Sequence, residues 1–170
     1  EFFPEEGKYH HSGHRKCGVS LTPDQMRENG ERCPACGRKL TLGVLQRVEE
    51  LAGRSVETWV DDDGFVASSN GRPRFKTLVG LQQIVAEAMQ RGVATRGVET
   101  AYLKLSSELG SEIDVLLHAP IQDIERVSDE RIADGVARIR AGKVAIEPGY
   151  DGLYGRVSIW PDAPAKSGKS

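Results

Sequence analysis

The spacing His14-x2-Cys17, fifteen residues, then Cys33-x2-Cys36 constrains this chain more than any other feature of it. Two ligands separated by two residues reach one metal ion from a single tight turn, and two such turns supply a tetrahedron. Thiolate and imidazole both suit zinc. Gly18 and Gly37 follow the two turns directly, where side-chain crowding around the sulfurs would be worst. With all four positions filled by protein, such a zinc ion is structural and closed to a catalytic water. His10 and His11 also lie close in sequence, and either is an alternative to His14 as fourth ligand. The competing reading is three cysteines that are merely buried or redox-active.

Three cysteines are an odd number, with two of them in a Cys-x-x-Cys, which does not read as a secreted disulfide framework. It fits metal binding in a reducing compartment, so a cytoplasmic protein is expected. No apolar run approaches the roughly 20 residues of a membrane span, and no signal peptide opens the chain. The apolar start Phe2-Phe3-Pro4 reads like the interior of a longer protein. Hydrophobic residues make up only 38% of the 170, so a metal staple is expected to help a lean core. The net charge of -2 gives no general hint of nucleic-acid binding; any such surface must be a local patch.

The pattern along the chain predicts an α+β fold: a small zinc-knuckle module, then a mainly helical module ending in a β-hairpin. Thr22, Pro23 and Asp24 mark a helix start, and Asn29-Gly30 its end. Val44, Leu45, Val48 and Leu51 recur at helical period, with Gly53 as the stop. Asp61 to Gly64 is a solvated turn. Two stripes follow, Leu78 to Ala88 and Val98 to Leu109, closed by Gly92 and Gly110. Ile113 to Leu117 could be strand or helix. Pro120 restarts a helical turn, and Ser128 is the expected cap of a last helix that Gly142 stops. Val144 to Ile146 and Val157 to Trp160 read as strands around a glycine-rich loop. These signals place modules at 1–70 and 71–160, with a disordered tail at 161–170.

Several cations and aromatics are candidates for phosphate contact or base stacking. Arg15 and Lys16 sit within the first ligand turn, where zinc modules often present charge to a backbone. Arg72, Arg74 and Lys76 surround Phe75 in a loop, which is either a phosphate grip or an ordinary solvated loop. Tyr150 and Tyr154 stand among glycines that permit close backbone approach, and serve either stacking or core coverage. His118 reads as a structural histidine. No phosphate-binding loop, nucleophile elbow or paired catalytic acids complete an active site.

Five segments together resemble the C-terminal half of endonuclease Q and its bacterial relatives. They are Phe2–His10, Gly13–Cys17, Cys33–Gly37, Val44–Ala52 and Glu147–Gly155; the Arg72-Pro73 loop leading into Leu78 is similar too. The resemblance implies a DNA-repair role. Endonuclease Q nicks DNA 5′ of deaminated bases and abasic sites. Its catalytic metals sit in an N-terminal polymerase-and-histidinol-phosphatase (PHP) domain, which is expected to lie outside these residues. Some bacterial relatives carry a helicase domain, so both domains are possible partners beside damaged duplex DNA. The whole protein would be a metal-dependent DNA endonuclease, and the present piece alone inactive. The alternative is a zinc-stapled interaction module that docks a nuclease or helicase domain.

Overall fold

The computed structural model describes residues 1–161, so the expected tail lies outside the described residues except for Pro161, which is in a turn. The fold is α+β: N-terminal hairpins, a helical region and a C-terminal strand pair. It divides into two compact units that interleave in sequence. A hairpin unit takes Phe3–Lys76 and Ile146–Val157; a helical unit takes Glu1–Phe2, Thr77–Ala145 and the chain from Ser158.

In the hairpin unit, β1 (Ser12–His14) pairs antiparallel with β2 (Val19–Leu21), Gly13 opposite Ser20. A 3-10 turn, Arg15–Cys17, joins them. Helix α1 (Pro23–Asn29) starts as the sequence suggests and carries a full capping box. The Thr22 hydroxyl accepts from the Gln25 N–H, and the Gln25 carboxamide accepts from the Thr22 N–H. Helix α2 (Val44–Leu51) spans its pattern: it starts at a Gly43 cap and ends at Ala52, before Gly53. Gly43 is needed there because a Cβ would press on the backbone of His10 to Ser12, 2.6 Å from the His10 carbonyl oxygen.

The Asp61–Gly64 turn closes a hairpin absent from the sequence reading, β3 (Thr58–Val60) with β4 (Val66–Ser68). Asp61 organises it. Its carboxylate accepts the N–H groups of Phe65 (2.8 Å) and Asp63 (3.1 Å), and the Arg74 guanidinium lies 2.8 Å away. The Phe65 N–H first, then Arg74, holds the Asp61 carboxyl below its ordinary value. A depressed folded-state value contributes stability fully present above the unfolded value and lost as pH falls through the folded one. The Phe65 amide resonance is therefore expected to titrate with a midpoint under the ordinary 3.8, and Asp61→Asn to abolish that titration. A midpoint at or above 3.8 in an NMR pH series would contradict the turn described here.

In the helical unit, α3 (Leu81–Ala88) packs against α4 (Arg96–Leu109) and α7 (Glu130–Arg140). Helix α5 (Glu112–Leu117) lies on α4, and α6 (Ile121–Val127) on α4 and α7. Leu81, Ile84, Val98, Leu105, Ile124 and Val136 are fully buried between them. Each contributes about 1.5–3 kcal/mol of burial. The ambiguous run at Ile113 is helix because Ser111 and Asp114 cap it reciprocally. The cap of α7 is Asp129, not Ser128. The Asp129 carboxylate accepts the Ile132 N–H at 2.9 Å, while the Ser128 hydroxyl turns back to the Ile124 carbonyl and closes α6. At Gly135 a Cβ would stand 2.8 Å from the Ile84 side chain and 2.9 Å from the Trp160 ring, so α7 needs glycine to pack this closely. Trp160 donates to Asp134 at 2.7 Å, and Arg131 lies over its ring.

Strands β5 (Ala145–Glu147) and β6 (Arg156–Ser158) pair; the chain leaves the helical unit through one and returns through the other. Among the described residues no helix is long and apolar enough to cross a membrane.

Candidate metal centre and nucleic-acid surface

The fold brings His14, Cys17, Cys33 and Cys36 together, their ligand atoms all within 4.8 Å of one another. His14 ends β1, and Cys17 ends the 3-10 turn that follows. Cys33 and Cys36 bracket the second turn, which the Gly37 N–H closes onto the Cys33 carbonyl at 2.8 Å. Gly18 (φ 66°) and Gly37 (φ 70°) are both left-handed, and a Cβ on either would meet nothing. Backbone conformation rather than space calls for glycine there. His10 and His11 are outside the cluster; His11 Nδ1 is instead 3.2 Å from the Ser20 hydroxyl.

The four residues fit a thiophilic cation chemically. Burial pushes the Cys33 thiol up, but the Ala35 N–H, His14 and the Cys36 N–H outweigh it and bring it down to about 6. Cys17, sharing a hydrogen bond with Cys36 and partly desolvated, is pushed up to about 11. Three thiols this close cannot all ionise by themselves, and a divalent cation removes that repulsion. The surroundings point the same way. Among the described residues the local core is Met26, Cys33 and Leu40, with Cys17, Val19 and Leu21 half-buried against it.

The glycine-rich loop between β5 and β6 belongs to this unit. The N–H groups of Gly149, Gly152 and Gly155 donate to the carbonyls of Glu5, Lys8 and Glu6, and the His11 N–H donates to Gly149. Asp151 ties the loop to the first ligand turn. Its carboxylate accepts the Arg15 N–H and the Thr41 hydroxyl, each at 2.6 Å. Thr41 first, then the Arg15 N–H, holds the Asp151 carboxyl below its usual range. The sequence pattern alone does not single out Asp151. Its one signal is an aspartate between Tyr150 and Gly152, in the left-handed conformation (φ 43°) that aspartate tolerates.

The expected nucleic-acid contacts fall into different settings. Arg15, Lys16 and Arg72 are exposed. Arg74 is held by Asp61 and Asp63, at 2.8 and 2.9 Å, and lies over the Phe65 ring. Lys76 donates to the Asp63 carbonyl. Phe75 is 36% exposed and continues the β3–β4 pairing through two backbone hydrogen bonds to Val66. Tyr150 packs over Gly13, where a Cβ would come 2.6 Å from its ring. Tyr154 is 76% exposed.

Residues 80–143 match the family described as MJ0043 C-terminal domain. The chain is 30% identical over 158 residues to the uncharacterized protein MJ0043 of Methanocaldococcus jannaschii, covering 93% of this chain and 19% of that protein. It is 28% identical over 155 residues to the uncharacterized protein YqxK of Bacillus subtilis, covering 91% of this chain and 33% of that one. It thus spans only a fifth to a third of the curated relatives it matches. Among solved structures, the lesion-specific endonuclease PfuEndoQ from Pyrococcus furiosus superposes with a TM-score of 0.74 at 30% identity, over 98% of this chain and 39% of that one. Endonuclease Q in complex with a 27-mer duplex substrate, an abasic lesion at its active site, superposes with a TM-score of 0.70 at 30% identity, over 95% and 38%.

Proposed function

We propose that this chain, a partial endonuclease Q-like module, is the non-catalytic part of a repair nuclease, holding damaged duplex DNA while a PHP domain nicks 5′ of the lesion. The observation that carries the reading is the match along nearly the whole chain to endonuclease Q, a protein seen with an abasic duplex. In this reading His14, Cys17, Cys33 and Cys36 hold one structural zinc ion, which staples the turn presenting Arg15 and Lys16 to the phosphate backbone. Arg72, Arg74 and Lys76 are further backbone contacts, Arg74 at the expense of its pairs with Asp61 and Asp63. Tyr150 and Tyr154 belong to the loop that would meet the displaced bases.

Fluorescence anisotropy with an abasic duplex, across a salt series, tests this directly. Binding is expected to weaken steeply with salt. Replacing Arg15 and Lys16 by glutamine should lower the slope of log K against log salt by about one for each phosphate left without its cation. Absence of salt-sensitive binding at low ionic strength would refute it. Cleavage of uracil-containing DNA by the purified chain with magnesium or manganese would overturn the non-catalytic assignment.

One observation favours docking of a partner domain as a second activity. Val44, Val48 and Leu51 line one face of α2 at helical spacing, and each is more than half exposed. Such a face suits a separate nuclease or helicase domain. Val48→Lys is expected to leave thermal stability unchanged and to abolish co-elution with the catalytic portion.

A further inference from the structure

We infer that the outer edge of β3 pairs with the same edge of a second copy of this chain, joining two molecules into a symmetric dimer. Strand β3 pairs with β4 on one side, Trp59 opposite Ala67, and among the described residues no bridge lies on its other side. The second side of β4 is closed by the chain itself. Val66 donates to the Phe75 carbonyl at 2.7 Å, and the Phe75 N–H donates back at 3.0 Å. One edge of this small sheet is therefore covered and the other left open.

The open edge has defined donors and acceptors. The Ser69 N–H donates to the Glu57 carbonyl at 3.0 Å, and the Asp61 N–H to the Phe65 carbonyl at 2.8 Å. Antiparallel bonding alternates along a strand, so Trp59 faces β4 between them, and the N–H and C=O groups of Thr58 and Val60 point outward. Proteins blunt such an edge with lysine, proline, a bulge or a covering loop. Thr58, Trp59 and Val60 offer none of these: all three are exposed, Trp59 by 51% and Val60 by 69%.

Charge selects a second copy as the occupant and fixes the register. Three symmetric registers bond the outward groups of one copy to those of the other. Opposing Thr58 to Val60 sets Glu57 against Asp61 twice, and opposing Val60 to itself sets Glu57 against Asp63 twice. Like charges directly opposite one another destabilise a sheet. Opposing Thr58 to itself instead sets Val56 against Val60, Trp59 against Glu57, and Arg54 against Asp62. Arg54 and Asp62 are both exposed, and among the described residues neither has an ion-pair partner within its own copy. Each copy supplies both halves of that pair, so the edge is complementary to itself. Val60, Val66 and Phe75 share one face across the hairpin, and Val56 of the second copy extends this apolar stripe. A three-residue strand makes a small interface, so the dimer is weak and reversible.

Sedimentation velocity of the full chain over a concentration series tests this. A reversible monomer–dimer equilibrium is expected, and a monomer throughout, up to roughly 1 mM, would overturn the inference. Thr58→Pro removes an outward N–H and no bond to β4, so it is expected to abolish the dimer while the Ala67 and Ser69 amide resonances stay dispersed. Val60→Lys charges the edge without altering the backbone, and is expected to do the same. Arg54→Asp and Asp62→Arg are each expected to weaken the dimer roughly 5- to 30-fold, since symmetry breaks every pair twice. Arg54→Asp combined with Asp62→Arg should restore wild-type affinity. A dimer untouched by the edge variants, or one that the double exchange leaves as weak as the single ones, would overturn the β3 pairing.

Discussion

On the proposed zinc reading, stripping the metal with a strong chelator, or replacing Cys33 by serine, is expected to unfold the hairpin unit while the helical unit keeps its helices. The reason is the disparity between metal and core in that unit. Its central cluster buries Met26, Cys33 and Leu40, and one of the three belongs to the candidate metal cluster. Burial of such side chains contributes about 1.5–3 kcal/mol each. Apparent binding free energies of structural zinc in small modules are about 10–16 kcal/mol near pH 7, and they act as folding energy. Losing the metal therefore removes more than the remaining core can replace. Cys33 is the most informative position because it is only 2% exposed, so serine there removes a ligand and leaves a hydroxyl in the small core. The helical unit has its own core around Ile84, Leu105 and Val136 and none of the four ligands. The measurement is a two-dimensional amide spectrum with metal content determined in parallel. Loss of dispersion confined to Phe3–Lys76 and Ile146–Val157 is expected; an unchanged spectrum in metal-free protein would refute the staple. Acid should have the same effect as chelation, since protons compete with the metal for thiolate and imidazole.

What could be read from the chain ahead of the structure follows the range of the interactions involved. The four clustered residues were legible because a ligand turn is local and its spacing has few other causes. Helix ends set by one residue were legible too, as at Gly30 and at Gly110 (φ 100°). Ile113 to Leu117 was not, because a five-residue apolar run has no measurable period; the deciding group was the Ser111–Asp114 cap beside it. Ser128 and Asp129 are both good caps, and the choice shows only in the folded backbone: Asp129 is extended and its carboxylate takes the Ile132 N–H, while Ser128 closes α6. The basic loop showed its charges but not its partners, Asp61 and Asp63, which reach Arg74 only once β3 and β4 pair. The longest-range feature was the least visible. Arg15 and Asp151 are 136 residues apart, and nothing local announces that the β5–β6 loop belongs with the first ligand turn.

That long-range attachment sets the second large effect. Gly155→Ala is expected to release the β5–β6 loop and to destabilise the hairpin unit by about 2–4 kcal/mol, from overpacking plus a broken hydrogen bond. The new Cβ would collide with the Glu5 carbonyl oxygen, and it would also sit 2.6 Å from the Gly149 nitrogen and 2.7 Å from the Glu147 carbonyl oxygen. All three are backbone atoms, so no side chain can swing aside to relieve the contact. Separation would also break the bond from the Gly155 N–H to Glu6, and it would strain the neighbouring bond from Gly149 to Glu5. Gly53→Ala is the control. A Cβ there meets nothing within 4 Å, so that variant should melt with wild type. Hydrogen exchange at Gly149 and Gly152 reports the release, while a thermal melt reports the stability. A Gly155→Ala chain that keeps wild-type exchange protection would mean that the loop docks by some means other than the backbone bonds described here.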